Sequence, residues 1–337
     1  MNLQEVFCSN MACCDRFKKG AGNIVSHGRK RPRCKCTSCG RTFSYREGTM
    51  FHGLRTPEET VIQVVTLVAY GCPQSAIVKA FGFDERTVSD WIRRAGDHAE
   101  VFHHQQITPL DLKQVQVDEM RLKLQNLIVW VAMAIAVGSR LWLGASCQVK
   151  RDKNLAKQII TCIYNWAQQR PLIISFDGWS AYPKTCRRLF REPEYTGKRG
   201  VPRQIPWREL ILVQVVKNSK QFTGLTRWVL QGSCTMFCRL IEQSQSRGTI
   251  NTAYIERLNA TFRGRLALAT RRTRHPARQI ETVNRAVYLV GCLYNFCDLH
   301  RSLGKRTPAM AANLTDHQWT VKEFLYRRPD PFWVSTT

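Results

Sequence analysis

Apolar positions recur at helical spacing in the first third of the chain, at strand spacing through the middle, and at helical spacing again toward the end. Val61, Val64, Val65 and Val68 share one side of a segment opened by Pro57 and closed by Gly71, which predicts a helix over 57–70. A second helix follows over 74–81. Gly82 then turns the chain, and Asp84 can cap a third helix holding Val88, Trp91, Ile92 and Ala95 at i, i+3, i+4 and i+7. Three such helices in succession fit a helix-turn-helix, and a plain three-helix packing unit shares the pattern. The polar side of the third helix carries Arg86, Thr87, Ser89, Asp90, Arg93 and Arg94, groups suited to base edges and phosphates.

From Lys113 the period shortens. KQVQVDEM, NLIVWVAMAIAV and RLWLGASCQV, separated by charged or Gly-Ser turns, predict three strands in an antiparallel meander. Residues 154–168 read as a helix with Leu155, Ile159, Cys162, Ile163 and Trp166 on one side. PLIISF, ending at Asp177, reads as a strand buried on both faces that returns into the same sheet. The segment 187–248 is basic; its ELILVQVVK and LTRWVLQG predict two strands, which either extend the sheet or form a separate hairpin. Two further helices follow, at about 251–269 with Ile255, Leu258, Phe262 and Leu266 as its buried stripe, and at about 276–299. The expected fold class is α/β, a mixed sheet flanked by helices and preceded by small modules. The expected division is 1–50, 55–100, 112–310 with an insertion at about 187–248, and a tail over 311–337.

Charge changes what this fold is expected to do. The 337 residues carry 51 Lys and Arg against 25 Asp and Glu, a formal net charge of +26. Such an excess works against compaction unless a polyanion neutralises it, so nucleic acid is the expected partner. Arg29, Lys30, Arg31 and Arg33 with Lys35 form one basic cluster, and Arg271, Arg272 and Arg274 another. No apolar run reaches the roughly 18 residues a membrane span requires. The N-terminus has no apolar signal core, and the expected location is cytoplasmic, on the nucleoid.

In that setting most cysteines stay reduced, and the 14 cysteines need another role. Cys8 and Cys13, with Cys36 and Cys39 in CKCTSC, can converge on one tetrahedral Zn²⁺, which would supply folding energy to a segment with little to bury. Cys14 stands as an alternative to Cys13, and Cys34 is a spare. The polar stretch between the pairs is expected to form a β-hairpin or loop presenting cations to phosphates.

Against this basic background three acidic positions stand out: Asp118 in VQVDEM, Asp177 in IISFDGWSAY and Glu256 in AYIERLNATFRGRL. Brought together they repel unless cations lie between them, and oxygen ligands suit Mg²⁺ or Mn²⁺. Adjacent residues on a strand point to opposite faces, so Asp118 and Glu119 are not expected to serve the same site; Asp118 is preferred and Glu119 is the fallback. Asp177 before Gly178 is equally an ordinary turn residue. On the helix near 251–269, Glu256 flanks the packed face, while Arg257, Asn259 and Arg263 are expected to meet phosphates.

VDEM, FDGWSAY, YIERLNATFRGRL and YNFCDLHRSLGKRTPAMA, in that order, resemble the motifs of DDE transposases of the insertion-sequence-one type. The cysteine knuckle and helix-turn-helix are similar to that family's DNA-binding portion, so the resemblance spans nearly the whole chain. It implies an RNase H-like fold for the large domain, with Asp118, Asp177 and Glu256 as a catalytic triad around two Mg²⁺ or Mn²⁺ ions about 3.5–4 Å apart. It further implies double-stranded DNA partners, terminal inverted repeats and target, and strand cleavage followed by strand transfer. Two repeats to be brought together imply a homodimer or higher oligomer on DNA. The chain departs from the pattern in its wider first cysteine pair and in the long segment between Asp177 and Glu256.

Overall fold

A computed structural model describes residues 3–28, 33–167, 169–197, 199–217, 225–244, 249–267 and 278–329. Arg29, Lys30, Arg31, Arg271, Arg272 and Arg274 lie outside the described residues. The first unit is a small antiparallel sheet of β1 (Ile24–His27), β2 (Arg33–Cys36) and β3 (Thr42–Ser44), with the expected hairpin formed by β1 and β2. Its core is slight: Val6, Ile24 and Phe43 around buried cysteines.

Next come α1 (Glu58–Ala69), α2 (Gln74–Phe81) and α3 (Glu85–Gln106). Asp84 caps α3 through its side chain, which accepts from the N–H of Arg86 at 2.8 Å. Val61, Val64, Val65, Ile77, Val88 and Trp91 pack between the three helices. The third helix runs on to Gln106. Its second half repeats the apolar period with Ala95, Ala99 and Phe102, and it packs on a helix near the chain's end.

The large unit is α/β. Its strands are β4 (Gln114–Lys123), β5 (Ile128–Ala136), β6 (Trp142–Gln148), β7 (Leu172–Phe176), then β8 (Arg191–Glu194) and β9 (Arg203–Pro206), then β10 (Leu210–Lys217) and β11 (Leu225–Gln231). Its helices are α4 (Lys153–Trp166), α5 (Ala181–Leu189), α6 (Cys234–Ser244), α7 (Ala253–Arg265), α8 (Ile280–Phe296), α9 (Pro308–Ala311) and α10 (Val321–Tyr326). Six strands form one mixed sheet in the order β11-β10-β7-β4-β5-β6. β4, β5 and β6 make the antiparallel meander; β7 joins β4 in parallel, β10 joins β7 in parallel, and β11 turns back along β10. The basic segment therefore extends the sheet, and β8 and β9 pair as a separate two-stranded ribbon that the hydrophobic pattern does not announce.

Continuous apolar runs end up in the middle of this sheet, as burial on both faces requires: all five residues of β7 are buried. The β6 edge is held by Asn295 of α8, whose amide donates to the Trp142 carbonyl at 2.8 Å and accepts its N–H at 2.9 Å. Gly291 gives the Trp142 indole room against α8, where any side chain would collide with it. Among the described residues, no helix is long and apolar enough to cross a membrane.

Candidate functional site

Two groups of metal-ligating side chains stand together among the described residues: Cys8, Cys13, Cys36 and Cys39, and Asp118, Glu119 and Asp177.

In the first, Cys8 Sγ lies 3.6 Å from Cys39 Sγ and Cys13 Sγ lies 3.7 Å from Cys36 Sγ. A regular tetrahedron with Zn–S bonds of about 2.3 Å requires sulfur–sulfur edges of about 3.8 Å, so the donor set fits zinc, and all four cysteines are free thiols. The wide first spacing is taken up by a turn in which the Cys13 N–H meets the Asn10 carbonyl at 3.0 Å. Cys14 is exposed and turned toward Asp15, and Cys34 is buried in the small core outside the four. Burial raises the Cys8 and Cys13 thiols, whereas the Arg41 N–H leads the effects that pull Cys39 down to about 6, so one sulfur of the set is readily a thiolate.

The acidic group is assembled from distant parts of the chain. The parallel pairing of β4 with β7 ends at Val117 and Phe176, which sets Asp118 and Asp177 side by side where β7 stops. Asp177 accepts the Trp179 N–H at 2.9 Å, the turn interaction expected of an Asp-Gly pair, yet that turn aims it into the group. β4 continues along β5 as far as Lys123, so beyond Val117 it has no strand partner on its β7 side among the described residues. There Asp118 folds along the backbone to accept the Glu119 N–H at 2.8 Å. Glu119 rises from the other face, held by the Tyr182 hydroxyl at 2.8 Å. Strand alternation does put the two side chains on opposite faces. Both nevertheless reach the gap left by β7, and the expectation that they cannot serve one place is corrected.

Glu256 is outside this tight group. It sits on the first turn of α7, accepting from Thr252 Oγ1 at 2.6 Å, and its charge reaches Asp118. Asn259 is a correction to its expected place beside phosphates: it is buried, and its amide donates to Asp118 Oδ2 at 2.8 Å. Its own Oδ1 is buried without a hydrogen-bond partner among the described residues. Gln116, two positions before Asp118 on β4, fixes the start of α7 by accepting the Ile255 N–H at 3.0 Å and donating to the Asn251 carbonyl at 2.6 Å.

Electrostatically the site is over-acidic. Burial is the main cause that raises the Asp118 carboxyl to about 6; the Glu119 N–H opposes it, and the charges of Glu119, Asp177 and Glu256 add to it. Glu119 is also raised, first by burial, although Tyr182 and Arg151 pull the other way. Arg151, in the turn between β6 and α4, pairs with Glu119 and lies 3.7 Å from Asp177. Neither Arg151 nor Gln116 carries a periodic or motif signal in the sequence. An unpartnered oxygen beside Asp118, a carboxyl whose ionisation burial and then its acidic neighbours make costly, and an all-oxygen donor set fit a divalent ion such as Mg²⁺ or Mn²⁺.

With this geometry in view, comparisons with known proteins add little: no family model matches the chain, and no curated protein matches it. Among solved structures, the cryo-EM structure of a piggyBac transposase synaptic complex with hairpin DNA is similar over 80% of this chain and 70% of that one, at 13% identity and a TM-score of 0.36. A likeness so low bears on neither family nor activity.

The remaining residues expected to meet DNA are scattered. Arg33 is exposed on β2, and Arg86 is exposed with Thr87 half-buried at the start of α3. Arg93 is paired with Asp90 at 2.6 Å and Asp97 at 3.0 Å, and Arg94 with Asp90 at 2.7 Å, so both already have internal partners. Arg257 and Arg263 are exposed on α7, on the same helix as Glu256.

Proposed function

We propose that the chain is a DDE-type DNA transposase of an insertion sequence, binding terminal inverted repeats and carrying out metal-dependent strand cleavage and strand transfer. The observation that carries this reading is the meeting of Asp118, Glu119 and Asp177 at the end of β7, with the charge of Glu256 felt at Asp118, in a chain of net charge +26. The order of the sheet agrees with an RNase H-like domain, since an antiparallel meander has parallel strands added to its first member. Asp118, Asp177 and Glu256, with Glu119 now beside them, would hold Mg²⁺. The bound ions would supply Lewis-acid activation of water or a DNA 3′-hydroxyl and neutralise charge on the leaving oxygen.

The chain's own groups supply position. Asn259 and the Glu119 N–H set the direction of the Asp118 carboxylate. Gln116 anchors the helix that carries Glu256. Arg257 and Arg263 on that helix offer cations to the phosphates flanking the scissile bond. The cysteine knuckle with one structural Zn²⁺, and the helix-turn-helix read into α1 to α3, would find the repeat ends, with Arg33, Arg86 and Thr87 turned to DNA. Repeat pairing calls for a dimer or larger assembly on DNA.

The test is an end-labelled repeat DNA incubated with Mg²⁺ and either the intact chain or Asp177→Ala. Cleavage and joined products with the intact chain alone are expected. Binding without cutting overturns the enzymatic reading in favour of a DNA-binding regulator, and cutting without joining reduces it to a nuclease.

A further inference from the structure

Arg151 stands directly against the acidic group. Its guanidinium pairs with Glu119 and reaches Asp177 at 3.7 Å, while its flat face lies 4.5 Å from the Trp179 ring and 5.5 Å from the Trp130 ring. Glu119 is thereby covered, its side chain only 3% exposed, whereas Asp177 keeps 42%. The arginine itself is 33% exposed and stands on a turn, between β6 and the Asp152 cap of α4, so it can leave without moving a strand. A planar cation on indole faces is held by weak, directional contacts that are broken and remade at little cost.

We infer that Arg151 is a tethered counter-ion for the acidic site: it occupies Glu119 and Asp177 when no divalent ion is present, and it is displaced when one binds. This rests on the reading of the acidic group as a metal site. Four acidic side chains close enough to influence one another, with Arg151 set against two of them, explain how the group stays assembled without metal. The same cation sets the metal affinity, because an entering ion must take over carboxylate oxygens that Arg151 already engages. Arg151 is thus a positioning residue, and Tyr182 retains Glu119 in place after it leaves.

Two measurements on the zinc-loaded full chain test this. In calorimetric titration with Mn²⁺, Arg151→Gln is expected to bind about tenfold more tightly than the wild type, since a competing unit charge is gone, and Arg151→Lys to stay near the wild type. On the wild type itself, Mn²⁺ is expected to increase modification of Arg151 by an arginine-specific dicarbonyl, read by mass spectrometry of the peptide, as the guanidinium leaves the carboxylates. Equal or weaker Mn²⁺ binding by Arg151→Gln, or unchanged or reduced labelling of Arg151 when Mn²⁺ binds, overturns the counter-ion role while leaving the metal site standing. Absence of Mn²⁺ binding by every form overturns the metal site and this inference with it.

Discussion

The cysteine group and the acidic group both offer ligands to a cation, and they are built on opposite terms. The four sulfurs come from one stretch of chain, Cys8 to Cys39, and two of their separations, 3.6 and 3.7 Å, are close to the edge of a zinc tetrahedron. The carboxylates come from β4, the end of β7 and α7, repel one another, and hold an arginine in their midst. Four closed thiolate positions suit an ion that stays. A partly exposed carboxylate set with a removable counter-charge suits an ion that arrives with its substrate. The contrast teaches that the cysteine group, filled with zinc, would add stability to the fold, whereas the crowded carboxylates draw on it.

The sharpest way to break that contrast is to take away one ligand from each side. Cys36→Ser is expected to have the largest effect: zinc content falls from one equivalent to none, and amide protection of β1 to β3 collapses, because structural zinc is worth on the order of 10 kcal/mol to small units of this kind. Hydrogen exchange with metal analysis reads both. Asp177→Ala should do the reverse. Cleavage falls by at least about a thousandfold, while the thermal midpoint of the Mg²⁺-free protein holds or rises, since a repelling charge has been removed. A marked loss of midpoint would place the acidic group with the structural sites.

The third test uses pH. The Asp118 carboxyl is raised to about 6 from an ordinary 3.8, so its protonated form stabilises the fold fully below pH 3.8, and that contribution is lost as pH rises through 6. Without divalent ions, Asp118→Asn is expected to be more stable than the wild type by about 2 kcal/mol at pH 8 and equal to it near pH 4, in guanidinium unfolding at the two pH values. Equal stability at both would mean the acids do not burden the fold. The smallest effect belongs to Asn259→Leu, which leaves every carboxylate and frees the direction of one; Mn²⁺ affinity should drop about tenfold with zinc content unchanged. An unaltered Mn²⁺ affinity would show that Asp118 needs no such holder.

Much of this was legible before any coordinates. Period-two runs pointed to β4 to β6, the uninterrupted PLIISF to a central strand, and cysteine spacing to four sulfurs that do stand together, Cys13 among them, since these signals depend on residues close in sequence. The acidic group was legible only in part. Alternation along β4 holds, and it misled at Glu119 because β7 stops at Phe176 and leaves a gap that side chains from both faces reach. Asn259 looked like a surface polar group because its partner, Asp118, is 141 residues away, and Arg151 looked like one basic residue among many for the same reason. The ribbon of β8 and β9 has no fully buried residue and so leaves no hydrophobic pattern.

One helix carries a consequence beyond its own packing. The 22 residues of α3, about 33 Å at 1.5 Å per residue, belong at one end to the three-helix unit and at the other to the large sheet, where His98 meets the Phe324 carbonyl and His103 that of Leu143. Near its middle Gly96 presses on the backbone of Arg285 so closely that an added methyl would stand 2.5 Å from the Arg285 Cβ. The helix is a stiff axle clamped at its waist. A load placed on its first turns is therefore carried by one unbroken rod into the packing around α8, and neither end can be displaced without the other.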